Sequence, residues 1–271
     1  MPPAENLVEM PIVRFKNVSK RYGDGPLILD NIAMDVERGD FISLIGPSGC
    51  GKSTILKLVS GLAPISKGEL VVDGMTPDNA REEMAFVFQE PTLLPWKTVE
   101  KNVETLLKLR GTDKNRRAEI AQDMIKLVGL DHAPNHFPRQ LSGGMRMRVS
   151  IARALSVSPK IILMDEPFGA LDEMTRDRLN EDLLAIRARE AFTAFFVTHS
   201  VAEAVFLSTK IVVLSANPGR IYEVIPVDFP YPRGEELRDP HEFHELVIKV
   251  SQTLRSVEMD AHTRMEEAGL I

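Results

Sequence analysis

The 271-residue chain is poor in cysteine and aromatics, with one Cys, one Trp and three Tyr. Because Cys50 stands alone, an intrachain disulfide is excluded, which fits a reducing compartment. No stretch reaches the ~18 consecutive apolar residues that a bilayer-crossing helix needs. The opening MPPAENLVEM lacks both the basic and the apolar part of a secretory leader. The expectation is a protein that stays inside the cell and forms no pore itself. Positive charge is not in excess either, with 33 Lys and Arg against 39 Asp and Glu, a net charge of -6. That balance argues against a nucleic-acid backbone as the main partner. Internal repeats and low-complexity tracts are missing too, which argues against solenoids and disordered arrays.

What is present is the composition of an ordinary globular protein, 44% hydrophobic and 27% charged. Its length predicts one main domain with an appendage. The most informative stretch is GPSGCGKST, that is Gly46, Pro47, Ser48, Gly49, Cys50, Gly51, Lys52, Ser53 and Thr54. It fits the phosphate-binding pattern G-x-x-x-x-G-K-[ST], between an apolar strand at 41–45 and a helix at 55–59. Glycines let the backbone amides close around a polyphosphate, the helix N-terminus adds partial positive charge, and Lys52 adds a full one. Ser53 offers a hydroxyl to magnesium. Cys50 reads as a small space-filler within the loop. The chain is therefore expected to bind a nucleoside triphosphate.

Upstream, alternating apolar residues at 12–18 and 32–36 predict two half-buried antiparallel strands joined by a turn at 23–26. Tyr22 lies on that turn, either as an ordinary loop aromatic or as a ring stacked on a base. Downstream, strands are expected at 69–72 and 85–88, the second delivering Gln89, whose amide oxygen is within conceivable reach of a metal. Residues 91–155 turn helical, opening on the apolar cluster Leu93, Leu94, Pro95 and Trp96. The sequence LSGGM follows. Ser142, Gly143 and Gly144 there begin a helix whose amides can receive a second anion.

The apolar strand at 161–164 ends in Asp165, Glu166 and Pro167. Two carboxylates at the end of a buried strand are poorly explained by packing, since unpaired burial is costly. Beside a metal and a phosphate they have work: Asp165 as a metal ligand through water, Glu166 as the base that takes a proton from attacking water. A long charged helix at 173–190 follows a short connection that ends at Asp172. The next apolar strand, 193–197, ends in Thr198 and His199, and His199 is placed to bridge the γ-phosphate to Glu166. A further strand at 210–215 leads through the turn Asn217-Pro218-Gly219 to a last one at 220–227. From 228 the prolines and charges read as a linker, and Phe243, Leu246, Val247, Val250 and Leu254 give a helical stripe. His241 and His244 read as a solvated helix start rather than metal ligands.

In this order the motifs resemble the ATP-binding subunits of ABC transporters, over about residues 12–227. LSGG ahead of ILMDEP carries the specificity that the phosphate loop alone lacks. The resemblance implies an α/β fold: a RecA-like P-loop NTPase core with an N-terminal antiparallel β subdomain and an inserted α-helical subdomain at about 91–155. The ABC ATPase domain would span 1–227, and 228–271 a linker and C-terminal helical extension. It implies ATP and Mg2+ as ligands and a head-to-tail homodimer, each ATP lying between one copy's phosphate loop and the other's Ser142, Gly143 and Gly144. It further implies Tyr22 as the base-stacking ring, Lys52 on the β- and γ-phosphates and Thr54 on the α-phosphate. Ser53 and Gln89 would be magnesium ligands, Glu166 the general base, His199 the switch residue, and Asp172 the link between the two sites.

The family's usual LSGGQ is LSGGM here, with Met145 and Met147 where glutamines are common. The segments LLPWKTVEKNV, NPGRI and IPVD resemble importers of nitrate, sulfonate, taurine and bicarbonate. Such a subunit would sit peripherally on the cytoplasmic face of the membrane, with permease subunits as direct partners and a periplasmic or surface binding protein as an indirect one. The segment 89–96 would receive the permease's coupling helix. The competing readings are a soluble ABC ATPase acting on nucleic acid or ribosomes, and an importer of an unrelated molecule such as a pyrimidine or thiamine precursor. The first is disfavoured because the gap from Lys52 to Leu141 is too short for a coiled-coil arm.

Overall fold

The computed structural model describes residues 10–267. A small sheet comes first. β1 (Val13–Arg21) and β2 (Leu27–Val36) pair antiparallel across the turn at 22–26, and β4 (Lys67–Val72) pairs on the other side of β1, giving the order β2-β1-β4. Both strands of the hairpin are longer than the alternation predicts. The pairing shifts register after Phe15 and again near Val18 and Lys20, and Asn17 and Asn31 take positive φ with their side chains bonded at 2.6 Å. Each irregularity turns the side chains over and breaks the period-2 signal.

The second sheet has the order β5-β6-β7-β3-β8-β9. Its strands are β3 (Phe41–Ile45), β5 (Met84–Phe88), β6 (Ile161–Asp165), β7 (Thr193–Val197), β8 (Lys210–Leu214) and β9 (Ile221–Pro226). The first five in that spatial order run parallel, and β9 closes the edge antiparallel to β8. β3, β6 and β7 are nearly continuous apolar runs because both faces are covered. On one face Ile42, Leu44, Leu163 and Phe195 share a core with the small sheet and with α1 (Lys52–Val59), whose Ile55, Leu56, Leu58 and Val59 are wholly buried. On the other face Phe41, Ile45, Met164 and Phe196 share a core with the remaining helices.

These are α2 (Val99–Leu109), α3 (Lys114–Leu127), α4 (Gly143–Leu155), α5 (Glu173–Arg189), α6 (Val201–Leu207) and α7 (His241–Glu267). α2, α3 and α4 pack on one another, and α4 also reaches β5 and α5. The segment expected to be a linker is fastened to the core. Buried Arg233 donates to the carbonyls of Phe206, Ser208 and Phe229 at 2.7–3.0 Å, and Tyr231 Oη donates to Leu207 O at 2.7 Å. α7 then buries Phe243, Val250 and Val257, seven residues apart, against the same core, so its apolar stripe is satisfied within the chain. No helix among the described residues is long and apolar enough to cross a membrane.

Parallel pairing sets the function. β6 pairs in register with β5 and β7, with Asp165 opposite Phe88 and Val197, and β3 pairs with β7, with Leu44 opposite Val197. The carboxyl ends of four strands therefore form one rim, which is where open α/β sheets bind ligands.

Candidate functional site

On that rim the phosphate loop leaves β3 at Gly46, whose φ is 153°; a side-chain carbon there would meet the Leu214 carbonyl oxygen at 2.5 Å. Only glycine suits both the angle and the space. Gly51, with φ 98°, is the N-cap of α1, and a Cβ there would meet Leu29 Cδ2 at 2.5 Å. The first turn of α1 carries no acidic residue, so its field favours an anion. Lys52 is buried and its Nζ donates to the carbonyls of Gly46 at 2.8 Å and Pro47 at 3.0 Å. The ammonium is thereby held inside the curl of the loop. Cys50 is wholly buried, and burial pushes its thiol pKa up, which makes it an inert filler.

Ser53, in the first turn of α1, donates its hydroxyl to Asp165 Oδ1 at 2.9 Å. Burial is the largest cause of a raised pKa at Asp165, opposed by the Ser53 bond and reinforced by the charge of Glu166. A hydroxyl and an under-compensated carboxylate side by side are the hard oxygen donors that suit magnesium. Among the described residues no group of three or more His, Cys, Asp or Glu could hold a metal by itself. The donor set thus fits a magnesium ion that takes its other ligands from phosphate and water.

Glu166 follows with φ 49°, a conformation that non-glycine residues adopt at a cost. Its N–H donates to Val197 O at 3.0 Å, and the chain then turns through Pro167. His199 stands at the end of the neighbouring strand, and its Nε2 lies 2.7 Å from Glu166 Oε1. That puts the ring nitrogen and the carboxylate oxygen in direct contact. Ile28, Ser48, Gly49, Gly51, Lys52, Ser53, Thr54, Glu166 and His199 line one cavity of about 240 Å³. Ile28, on β2, has no signal in the sequence beyond an apolar strand position.

Other expected residues lie elsewhere. Tyr22 is exposed on the β1–β2 turn with Lys20 Nζ 4.4 Å from its ring centroid, and it does not line that cavity. Gln89 is exposed at the end of β5, where a Cβ on Gly169 would approach its Nε2 at 3.2 Å. It lines a separate groove of about 480 Å³ with Gly143, Met147 and Leu171. Ser142 caps α4 by accepting from Met145 N at 3.2 Å. A Cβ on Gly144 would meet Thr175 Cγ2 at 2.8 Å, and one on Gly143 would meet Leu171 Cδ2 at 3.0 Å. The paired glycines therefore let α4 start hard against the segment leading into α5. None of Ser142, Gly143 and Gly144 lines the cavity of their own chain's phosphate loop. Asp172, exposed, caps α5 by accepting from Thr175 N at 3.0 Å, and that bond is the main cause of its lowered pKa.

Sequence reading missed the residues that stiffen the groove. Wholly buried Asn102 holds the 94–98 loop by accepting from Leu94 N at 2.8 Å and donating to the carbonyls of Lys97 and Thr98. Arg153 donates to the carbonyls of Pro91 and Thr92 at 2.9 and 3.0 Å. Trp96 projects from this loop, 71% exposed. Helix α6 was also missed, although Ser200 and Glu203 have the S-x-x-E spacing of a helix start.

A model of the ABC transporter family matches residues 29–169. An uncharacterized ABC transporter ATP-binding protein of Methanocaldococcus jannaschii is 44% identical over 241 residues, covering 88% of this chain and 90% of that protein. An aliphatic sulfonates import ATP-binding protein of Bacillus anthracis is 44% identical over 225 residues, covering 83% and 87%. Among solved structures, a dimeric ATP-binding cassette in a post-hydrolysis state bound to ADP and Pi superimposes with a TM-score of 0.71 at 32% identity, over 80% of this chain and all of that one. The cbiO1 subunit of a Clostridium perfringens ABC transporter complex superimposes with a TM-score of 0.76 at 22% identity, over 92% and 100%, a likeness of fold alone. With its phosphate loop, its Asp-Glu strand end and these relatives, the chain belongs to the ABC transporter family as an ATP-binding, ATP-hydrolysing cassette.

Proposed function

We propose that the chain works as one of two identical cassettes that close head to tail on two ATP molecules. Their closing would drive a separate membrane permease that imports a small organic or inorganic anion, with a sulfonate first in order. One observation carries this reading: within a single chain the site is half built. The phosphate loop, Ser53 and the Glu166–His199 pair share one cavity, with Asp165 bonded to Ser53 behind it, while Ser142, Gly143 and Gly144 lie outside it. A second copy supplies what is lacking.

In this mechanism Lys52 and the loop amides hold the β- and γ-phosphates, and Thr54 the α-phosphate. Tyr22 stacks on the base once its turn meets the nucleotide. Ser53, Asp165 through water, and Gln89 would hold a magnesium ion, which when bound would supply positive charge at the phosphate oxygens. Glu166 accepts a proton from the attacking water as that oxygen bonds to the γ-phosphorus and the bond to the β–γ bridging oxygen breaks, giving ADP and inorganic phosphate. His199 keeps the Glu166 carboxylate aimed and contacts the γ-phosphate. The partner's Ser142 and adjacent amides close on the same phosphate, and Asp172 reports closure from one site to the other.

The stiffened loop at 91–98 and its groove form the surface for a permease segment. A ledge clamped by Asn102 and Arg153 moves as a body with the cassette, so it can transmit closure. This assigns the chain to the cytoplasmic face of the membrane through its permease, with an extracytoplasmic binding protein selecting the cargo. The resemblance of the NPGRI and LLPWK segments, and the sulfonate relatives, support the anion class. The test is purification of the chain with its membrane partners into liposomes, followed by ATPase measurement with alkyl sulfonates, taurine, nitrate and a thiamine precursor. Stimulation by a sulfonate together with its binding protein is expected; stimulation by the thiamine precursor alone overturns the cargo class.

A further inference from the structure

The side chain of His199 is 53% exposed, so the position of its ring depends on the turn that carries it. That turn is built on Thr198, which is buried. Thr198 Oγ1 accepts from Ser200 N at 2.9 Å and donates to the carboxylate of Glu203 in a close contact. Ser200 Oγ in turn accepts from Glu203 N at 3.3 Å, which starts α6. Glu203 is only 5% exposed, and its second oxygen faces α5, with Asn180 Nδ2 at 3.5 Å and Arg176 Nε at 3.8 Å. Arg176 also donates Nη2 to Leu171 O at 2.9 Å, on the loop that runs from Glu166 to Asp172. Two loops, each bearing one member of the Glu166–His199 pair, thus converge on one buried carboxylate, through a hydrogen bond from Thr198 on one side and the charge of Arg176 on the other.

Packing alone does not call for a carboxylate there. An apolar side chain of similar size fills such a space without the desolvation penalty that ionised groups bear. The polar group does something an apolar one cannot, which is to fix the direction of the Thr198 hydroxyl with one oxygen while the other draws on the charge of the Arg176 guanidinium 3.8 Å away.

We propose that Glu203 is a positioning residue for ATP hydrolysis, holding the His199 turn and the Glu166–Asp172 loop in one frame so that Nε2 meets the carboxylate. The proposal rests on the reading of Glu166 and His199 as the hydrolytic pair. Glu203 lies outside the phosphate-loop cavity and lines an adjoining one of about 360 Å³ with Arg176, Glu166 and His199, so its effect on nucleotide is routed through that pair.

The test is a double-mutant cycle on the full chain, with kcat and KM for ATP, affinity for a non-hydrolysable ATP analogue, and thermal unfolding as readouts. Glu203→Gln keeps the volume but presents an amide NH2 either to the donors of Asn180 and Arg176 or to the Thr198 hydroxyl. We expect kcat to fall about tenfold while KM and analogue affinity stay within about twofold, because the phosphate loop is untouched. In a His199→Ala background the same substitution should lower kcat no further. Thr198→Val, which keeps Glu203 and removes the hydroxyl with its bonds to Glu203 and Ser200 N, should behave likewise and carries the test if Glu203→Gln does not fold. Losses that multiply with His199→Ala, or normal kcat in the folded variants, overturn the proposal while leaving the pair intact. Normal turnover in His199→Ala alone overturns the reading of the pair and this proposal with it.

Discussion

Gly219 presses its α-carbon against the backbone of Cys50, so that a Cβ there would lie 2.0 Å from the Cys50 carbonyl oxygen and 3.0 Å from Leu29 Cδ2. The turn is pinned in that place: Gly219 N donates to Ile28 O at 2.8 Å, Asp30 N donates to Gly219 O at 2.9 Å, and Arg220 pairs with Asp30 at 2.6 Å. The phosphate loop is therefore packed against the entry to β9.

Because the obstructing atom is backbone, Gly219→Ala cannot be absorbed by a rotamer change. It should destabilise the fold by about 1–3 kcal/mol, the range for overpacking, and raise KM for ATP by displacing the loop. Thermal unfolding and ATPase kinetics check this. An unchanged melting temperature with unchanged KM would show that the loop yields freely.

Glu166→Gln keeps the shape and the contact with His199 but removes the proton acceptor. Turnover should drop ~10²-fold or more while ATP still binds, leaving nucleotide-loaded dimers visible by size-exclusion chromatography. Near-normal turnover would remove Glu166 from the role of base.

Lys52→Ala and Ser142→Ala should each inactivate both sites of a homodimer. Mixing the two proteins creates heterodimers in which one site is doubly defective and the other has both halves intact. Activity recovered on mixing, rising with protein concentration, is expected. No recovery at any ratio would defeat the shared-site arrangement.

Asp73 ties the small sheet to the large one. It follows β4, accepts from Lys160 Nζ at 2.7 Å and also bonds Arg38, and these contacts hold its pKa below the ordinary 3.8, with the Lys160 bond the largest cause. A carboxylate with a depressed folded pKa contributes stability above its unfolded value and loses it as pH falls through the folded one. Asp73→Asn, which tolerates the same positive φ of 48°, should cost at most about 1 kcal/mol near neutrality. The deficit should vanish under acid conditions that protonate the parent residue. Urea unfolding at both pH values measures it, and a deficit that persists in acid would assign the effect to packing.

Much of the fold was legible because its signals are local. The strand at 193–197 matches β7 to the residue, and the one at 161–164 matches β6 except that the strand runs one residue further, to Asp165. Both are short, apolar on both faces and bounded by turn or polar residues. The hairpin was legible in type but not in length, since register shifts erase the alternation that reveals a strand. α6 escaped because a seven-residue helix whose last five residues are all buried gives no amphipathic stripe. The 228–240 segment has the composition of a linker yet is bound to the core, because Arg233 finds its partners among carbonyls distant in sequence.

For the candidate site, the residue types came from sequence and their company from the structure. By itself the chain determined a loop able to cradle phosphate, since successive amides, glycines and one ammonium act through neighbours in the chain. Only the tertiary structure decided that Glu166 and His199 meet at 2.7 Å, that Ser53 reaches Asp165, and that Ser142 stands apart from its own chain's phosphate loop. Those relations follow from the order β5-β6-β7-β3-β8 and the parallel register that aligns the strand ends, and strand order is set by long-range burial that no local pattern records.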